Sequence, residues 1–226
     1  NVPDTLDLAE RARIAVGGLT NFLNPDDDYS QYCHMYYNTN PPYMTNYYGQ
    51  GKNNWGKVAE ATTMARSMCG STENLDIQLA SMKGMGNFVS LTDPTPTPMT
   101  CVMSALMTQN KLNPEPELLS EIQAMSQAHI DLANYNGNKA YYYDGEPHSD
   151  DSMLGVVGYG WEAFIQGRAM RTLTEWHLYH GDAAALSLVE KISNFMMEPK
   201  YWEPDDEGPL NNASPKVVVS SEHGHF

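Results

Sequence analysis

The sequence predicts an all-α fold of antiparallel helical hairpins stacked in series, with long aromatic loops on one face. Apolar residues recur at helical spacing through most of the 226 residues, and Gly, Pro or a capping side chain bounds each such segment. Asn-Phe followed by an aliphatic residue also occurs three times, each time at the end of a predicted helix. A recurring unit of this kind is typical of stacked hairpins, so we expect one domain over residues 1–226.

The first predicted element is a helix from about Pro3 to Phe22, with Asp4 or Thr5 as its N-cap. Residues 24–53 follow as a long loop, because Pro, Asn and Gly interrupt them and neither a helical nor a strand period survives. The density of Tyr in this segment is unusual for a disordered chain. We therefore predict a functional loop.

Six more helices are predicted after this loop. Pro94, Pro96 and Pro98 should separate two of them, because proline cannot continue a helix. Gly181 should end the sixth helix, and Asp182 should cap the seventh. The predicted elements are helices at Trp55–Cys69, 72–91, Met99–Gln109, Pro114–Ala133, Trp161–Tyr179 and Ala183–Met197, a small hairpin within 138–152, and a strand at Val217–Val219.

The Asn-Phe pairs suggest how the hairpins join. We expect each Phe to pack into the next hairpin and each Asn to cap the free carbonyls at the end of its helix. The pairs are Asn21-Phe22, Asn87-Phe88 and Asn194-Phe195. In such an array the aromatic loops share one face, which would hold Tyr36, Tyr37, Tyr47, Tyr48, Trp55, Trp161 and Glu222.

The charge balance disfavours two classes of partner. Thirteen Lys and Arg against 28 Asp and Glu give a net charge of −15, which disfavours nucleic acid and docking on an anionic membrane. The sequence contains no run of about 20 apolar residues, so no insertion into a membrane is predicted. The three cysteines form neither a CxxC pair nor a disulfide framework. The compartment stays open, and we favour a secreted or periplasmic location.

Tyr, Trp and Asn are the most informative residue types. The chain has 14 Tyr and 4 Trp, and in the loops they alternate with amides and hydroxyls. Flat rings edged by such groups suit sugars, which have apolar faces and many hydroxyls. Tyr and Asn also make good exposed loops without any ligand, so composition leaves both interpretations open.

Three segments resemble a known superfamily: "GYGWEAFIQGRAMRTLTEWHLYHGDAAALSLVEKISNFM", the earlier "WGKVAEATTMARSMCGS", and the closing "SEHGHF". They are similar to the six-hairpin, (α/α)6-toroid glycosidase-like proteins, and most of all to poorly characterised bacterial branches that degrade polysaccharides. The resemblance implies a cleft at one end of a toroid, where glycosidic bonds are hydrolysed. It also implies an incomplete toroid, because six hairpins need more than the roughly seven helices predicted here. Further C-terminal hairpins of the same protein would then be its partner.

Glycoside hydrolysis needs two carboxyl groups, one acting as an acid and the other as a base or nucleophile. Glu162 follows Trp161 in "GYGWEAF", and an apolar neighbour raises the pKa of a carboxyl toward that of a useful acid. Glu222 precedes His223, which can orient it. We predict Glu162, Glu222 and His223 as catalytic residues. The ordinary alternatives are a first-turn helix Glu and an exposed Glu near a frayed end.

Aromatic and basic residues around these carboxylates are the predicted substrate-binding set. They are Tyr37, Tyr48, Trp55, Tyr159, Trp161, Arg168 and His225. Glu60 is better explained as a solvated helix residue, whereas Asp150 and Asp151 could equally be functional carboxylates or ordinary loop caps. No cofactor is predicted, since neither a nucleotide-binding nor an acyl-transfer motif occurs. No metal is predicted, because His223 and His225 lack a nearby third ligand.

Two other functions stay open. A polysaccharide lyase on the same fold would use His223 or Tyr159 as its base and Arg168 to neutralise the carboxylate of a uronic acid. A non-catalytic glycan-binding protein would use the aromatic face alone, and it would bind sugars without turnover.

Overall fold

A computed structural model of the chain describes residues 7–46, 48–88, 96–142 and 159–197. Helices hold 68% of these residues, which confirms the prediction of a mostly helical protein. The chain divides into two compact units, Asn1–Gln123 and Ala124–Phe226. The single domain over residues 1–226 stays a prediction, and the predicted strand at Val217–Val219 lies outside the described residues.

Seven helices and three antiparallel two-stranded hairpins make up the regular structure of the described residues. The helices are α1 Leu8–Asn21, α2 Tyr48–Cys69, α3 Leu75–Phe88, α4 Pro96–Leu112, α5 Pro116–Leu132, α6 Tyr159–His180 and α7 Ala183–Met196. The strands are β1 Leu23–Asn24, β2 Ser30–Gln31, β3 His34–Tyr36, β4 Tyr43–Thr45, β5 Asn134–Asn136 and β6 Lys139–Tyr141. Each strand pairs with its neighbour in sequence, β1 with β2, β3 with β4 and β5 with β6.

The first helix begins later than the sequence predicted. Asp7 is the N-cap of α1, and its carboxylate accepts hydrogen bonds from the backbone N–H groups of Ala9 and Glu10 at 3.0 and 3.1 Å. These contacts satisfy two of the donors that a helix start leaves without intrahelical partners. Asp7 therefore caps the helix in place of the predicted Asp4 or Thr5.

Residues 24–53 are not the structureless loop that the sequence predicted. The β3–β4 hairpin and part of the β1–β2 hairpin lie within them, and α2 begins at Tyr48 rather than at Trp55. Each strand is only two or three residues long, too short for an alternating pattern to be visible in the sequence. The first turns of α2 contain Gly and Asn, whose low helix propensity is overridden by tertiary context.

The fourth helix starts inside the proline-rich segment. α4 begins at Pro96 and includes Pro98, although the sequence predicted that these prolines would end any helix. Both lie in the first turn, where a backbone N–H has no intrahelical partner to lose. From Met99 to Met107 every side chain is at most 8% exposed, so this stretch of α4 is buried on all sides.

The second helix packs against α1, α3 and α4 within the first unit. Where α2 meets α4, a Cβ on Gly56 would lie only 2.6 Å from the carbonyl carbon of Cys101, so the two backbones touch. Toward α3, the buried indole N–H of Trp55 donates to Ser81 Oγ at 2.6 Å, and Ser81 Oγ donates to the Tyr29 carbonyl at 2.9 Å. One chain of hydrogen bonds therefore joins α2, α3 and the β1–β2 turn.

In the second unit, α6 and α7 form a helical hairpin around one carboxylate. Gly181 ends α6 with a left-handed φ of +78°, and Asp182 caps α7, as the sequence predicted. The Asp182 carboxylate accepts from two backbone N–H groups of α7, from Trp176 Nε1 at 2.8 Å and from Ser126 Oγ at 3.1 Å. This side chain thereby joins α5, α6 and α7.

Asn21 and Asn194 do not cap their helices, and the third Asn of the Asn-Phe pairs, Asn87, has no described side chain. Asn194 Nδ2 donates to the carbonyl of Asn138 in the β5–β6 turn at 3.0 Å, and Asn21 Oδ1 accepts from Asn74 Nδ2 at 3.1 Å. In both cases the amide joins the end of a helix to a separate loop. The prediction that these Asn side chains cap the last carbonyls of their own helices is therefore wrong.

The two described Phe side chains of these pairs differ from one another. Phe195 is 5% exposed and stacks on Tyr141 of β6, with ring centroids 4.8 Å apart. Phe22 is 40% exposed and meets Tyr32 edge-on at 6.4 Å. The prediction that each Phe packs into the next helical hairpin is therefore wrong for Phe22, which contacts Tyr32, the residue directly after β2.

Candidate functional site

The β3–β4 hairpin carries a cluster of exposed aromatic and Met side chains. Its register pairs His34 with Thr45, Met35 with Met44 and Tyr36 with Tyr43. Successive side chains of a strand point to opposite faces, so the residues sort into two sets. One face holds His34, Tyr36, Tyr43 and Thr45, and the other holds Met35 and Met44.

The rings on the first face form a row. Tyr36 and Tyr43 stack across the strands, with ring centroids 4.7 Å apart and planes inclined by 15°. His34 lies along the strand from Tyr36 at 6.5 Å and 26°. Tyr36 and Tyr43 are 41% and 48% exposed, far above the exposure of a core aromatic side chain. We call this row the aromatic face of the hairpin.

An amide network fixes the base of the hairpin to the preceding one. Asn46 Nδ2 donates to the carbonyl of Gln31 at 3.1 Å and also contacts Ser30 Oγ. Asn46 Oδ1 accepts from Asn24 Nδ2 at 2.9 Å, and Asn24 Oδ1 accepts from Tyr32 Oη at 3.0 Å. The exposed rings are therefore presented by an anchored support.

A buried polar cluster in the second unit joins α5, β6 and α6. Gln166 of α6 is fully buried, and its amide pairs with the backbone of Tyr142, accepting from the N–H at 3.3 Å and donating to the carbonyl at 3.1 Å. Tyr142 Oη lies 3.3 Å from His129 Nδ1 and 3.2 Å from the His129 carbonyl oxygen. We call these three residues the α6 cluster.

The electrostatics of this cluster follow from its burial. Burial lowers the pKa of His129 to about 3 and raises the pKa of Tyr142 above its ordinary value, so both side chains are neutral at neutral pH. Tyr142 Oη satisfies both of its contacts if it donates to the His129 carbonyl and accepts from Nδ1–H. His129 Nε2 is buried and has no hydrogen-bond partner among the described residues.

Glu162 lies in the first turn of α6, one turn before Gln166. Residues three and four apart share a helix face. By this register Glu162 falls on the stripe that continues through Ile165, Gln166 and Ala169, all of them buried. The backbone position of Glu162 is therefore on the side of α6 that carries the α6 cluster.

Three of the predicted substrate-binding side chains are described. Tyr37 is 74% exposed, and its Oη lies 3.5 Å from Met35 Sδ, on the face of the hairpin opposite Tyr36. Trp55 is 4% exposed, so the prediction of a ring exposed on the aromatic face is wrong: Trp55 is a core side chain bonded to Ser81. Arg168 is partly buried on α6.

The remaining predicted site residues have no described side chain. Tyr48 begins α2, and Tyr159, Trp161 and Glu162 begin α6. Glu222, His223 and His225 lie outside the described residues. Their roles, and the common face predicted for Trp161 and Glu222, stay predictions.

Several residues of these two clusters were not predicted as site residues. Tyr36 was predicted only to lie on the face shared by the aromatic loops. Tyr43, His129, Tyr142 and Gln166 were not predicted at all. The strands "HMY" and "YMT" are too short to show an alternating pattern, so the only signal for the hairpin is the turn-forming composition of "NTNPP" between them. No such signal exists for the α6 cluster, because its members come from three separate elements.

Neither a metal site nor a membrane span is found in the part of the chain that the structure describes. No three His, Cys, Asp or Glu side chains group there in a way that could hold a metal ion. None of the described helices combines the length and the apolar character needed to cross a membrane. No protein-family model, curated protein or solved structure matches the chain.

Proposed function

We propose that the chain is part of a carbohydrate-active enzyme that hydrolyses glycosidic bonds. Its fold would be part of an (α/α)6 toroid of the six-hairpin glycosidase-like kind, with aromatic loops on one face. Glu162 and Glu222 would be the carboxylate pair, and His223 would orient Glu222.

The packing of the first unit supports the fold part of the proposal. In a toroid of helical hairpins, the inner helices are surrounded by others and lose their solvent-exposed face. The buried stretch of α4 from Met99 to Met107 fits an inner helix. So does the backbone contact between α2 and α4 at Gly56 and Cys101.

The aromatic face of the hairpin is the observation that carries the proposal of a sugar ligand. Exposing an aromatic ring to water is unfavourable in free energy. Tyr36 and Tyr43 are nevertheless about half exposed on an anchored hairpin, which leaves them available for binding a ligand. Their hydroxyls and the neighbouring Asn and Thr side chains match the many hydroxyls of a sugar.

The register of α6 supports a catalytic role for Glu162. As the general acid, Glu162 would need a carboxyl group with a raised pKa, which loss of hydration can provide. Glu222 would then stay ionised and act as base or nucleophile.

Glycan binding without catalysis is the second candidate. The aromatic face itself contains no carboxylate, and this favours a binding role for the hairpin whatever the rest of the protein does. The lyase alternative keeps its predicted residues, His223, Tyr159 and Arg168, and requires a uronic acid in the substrate.

A glycan screen on the full gene product separates the three functions. Neutral and uronate polysaccharides are incubated with the protein, and both new reducing ends and unsaturated products are measured. Reducing ends without unsaturation are expected and support hydrolysis. Unsaturated uronates would identify a lyase, and binding without any product would identify a binding protein. If no glycan is bound or cleaved, the proposal is wrong.

A further inference from the structure

We propose that Tyr36 and Tyr43 form a binding subsite for an uncharged pyranose unit of a glycan. This inference rests on the proposed carbohydrate function and narrows it to a substrate class. It adds two residues, paired across a hairpin, that are absent from the substrate-binding set predicted from the sequence.

The ring geometry leaves surface for a sugar. Tyr36 and Tyr43 stack at 4.7 Å, so each ring covers one face of the other. Even with this mutual cover, the two residues stay 41% and 48% exposed. A pyranose presents C–H groups on one side and hydroxyls at its rim, which suits an aromatic surface with a polar border.

The hairpin holds this surface in place before any ligand binds. Thr39 Oγ1 lies 3.1 and 3.0 Å from the carbonyl oxygens of Tyr36 and Pro41, which fixes the connection between the strands. The Cys33 N–H donates to the Thr45 carbonyl at 3.0 Å and extends the ladder beyond β3. A preorganised surface loses less conformational entropy on binding than a mobile loop would.

The charge pattern decides between neutral and acidic sugars. Residues 29–51 contain no Asp, Glu, Lys or Arg, although the whole chain carries 41 such residues, 28 acidic and 13 basic. A uronate or a sulfated sugar is recognised by Arg or Lys through charge-assisted hydrogen bonds, and this segment has none to offer. The net charge of −15 also repels polyanions at a distance. A neutral glycan meets neither obstacle.

The polar border favours a sugar over a protein partner. Asn38, Thr39 and Asn40 follow Tyr36 and Tyr37 at the tip of the hairpin. The core of a protein–protein interface is enriched in aromatic and Met side chains, and polar side chains such as these belong to its rim. Met35 and Met44 are exposed on the opposite face, and a sugar on the aromatic face would leave them uncovered.

The test compares variants of the full protein in binding to uncharged hexasaccharides of glucose, xylose or mannose, with oligogalacturonate as the charged comparison. Calorimetry of Y36A/Y43A should show an affinity for the bound neutral oligosaccharide about tenfold or more below wild type. Y36F/Y43F, which keeps both rings, should stay close to wild type. The control is Tyr135→Ala on β5, where an equally exposed Tyr, at 47%, lies outside this hairpin. Its affinity should not change.

A second measurement needs no substitution. Saturation transfer from aromatic protons of the wild-type protein should reach the C–H groups of the neutral sugar. Unchanged affinity in Y36A/Y43A, tighter binding of oligogalacturonate, an absence of any bound oligosaccharide, or protection of Met35 and Met44 by a protein partner instead would each overturn the subsite. Hydrolysis measured in parallel separates the two proposals. Cleavage that persists in Y36A/Y43A with unchanged affinity leaves the enzyme proposal standing, and binding without cleavage leaves the subsite standing.

Discussion

His129 shows how a single buried side chain affects stability. Its imidazole is fully buried, and burial lowers its pKa from 6.5 to about 3. Its Nδ1 lies next to Tyr142 Oη. Tyr142 is neutral as well, because burial raises its pKa. The folded protein therefore excludes a proton that the unfolded chain accepts below about pH 6.5.

This difference predicts a loss of stability in mild acid. Between pH 6.5 and about 3 the unfolded state binds more protons at this site than the folded state, so the free energy of unfolding falls as pH falls. Between about pH 7 and about pH 4 the site would contribute a loss of roughly 3 kcal/mol. His129→Asn keeps a donor near the position of Nδ1 but does not titrate, so its urea-unfolding free energy should fall less over this range. Equal slopes in both proteins would show that His129 is not excluded from protonation.

At the scale of elements, the contact between α2 and α4 depends on the absence of one side chain. A Cβ on Gly56 would lie 2.6 Å from the Cys101 carbonyl carbon, and backbone cannot move aside as a flexible side chain can. Gly56→Ala should therefore destabilise the protein by roughly 1–3 kcal/mol in urea or thermal unfolding.

The control for this substitution is Gly18→Ala on α1. Gly18 is also helical, but apart from its chain neighbours and the backbone of its own helix, no atom lies within 4 Å of its added Cβ. Ala is the better helix former, so this variant should be stabilised by about 0.5–1 kcal/mol. A Gly56→Ala protein that is as stable as wild type, or more stable, would contradict the close approach of α2 and α4.

Asp182 and Asp7 cap helices in different surroundings. Burial alone would raise the pKa of Asp182, but hydrogen bonds from the Ala185 N–H, Trp176, Ser126 and the Ala184 N–H outweigh it, and its pKa is lowered. The stability that these bonds provide is present above the unfolded pKa and is lost as pH falls through the lower folded value.

Asp182→Ala should destabilise the protein more than Asp7→Ala does. Both variants lose an N-cap, but only the first loses the bonds from Trp176 and Ser126. The difference in the free energy of unfolding should be roughly 1–2 kcal/mol near pH 7. Equal losses would show that the two side-chain bonds contribute nothing measurable.

The sequence could predict elements better than contacts. Helical periodicity and the Gly-Asp pair between α6 and α7 predicted that hairpin almost to the residue, because caps are local signals. The prolines before Met99 misled the prediction of α4, since their effect depends on whether they fall in the first turn or the interior. Whether Trp55 is exposed, and which residues gather around His129, depends on partners distant in the chain, and no local pattern encodes that.

At the scale of the whole molecule, the Tyr-rich segment differs from the rest of the chain in its charge. An acidic chain keeps one Tyr-rich segment, residues 29–51, free of charged side chains and presents part of it on an exposed hairpin. The net charge of −15 repels polyanions, whereas the uncharged hairpin is suited to uncharged ligands. Within the proposal, binding and catalysis would thus use different elements, the hairpin for the sugar and α6 for the acid.

The most direct test of the enzyme proposal is the rate of reducing-end release from a neutral glycan by the wild-type gene product and by single Glu→Gln variants. Glu162→Gln and Glu222→Gln should each lower the rate by about 10² or more, because each removes one half of the carboxylate pair. Glu190→Gln, an exposed carboxylate on α7, is the matched control and should keep the wild-type rate. Thermal unfolding of each variant verifies that it is folded. If Glu162→Gln and Glu222→Gln both keep full turnover, the carboxylate pair proposed here is wrong.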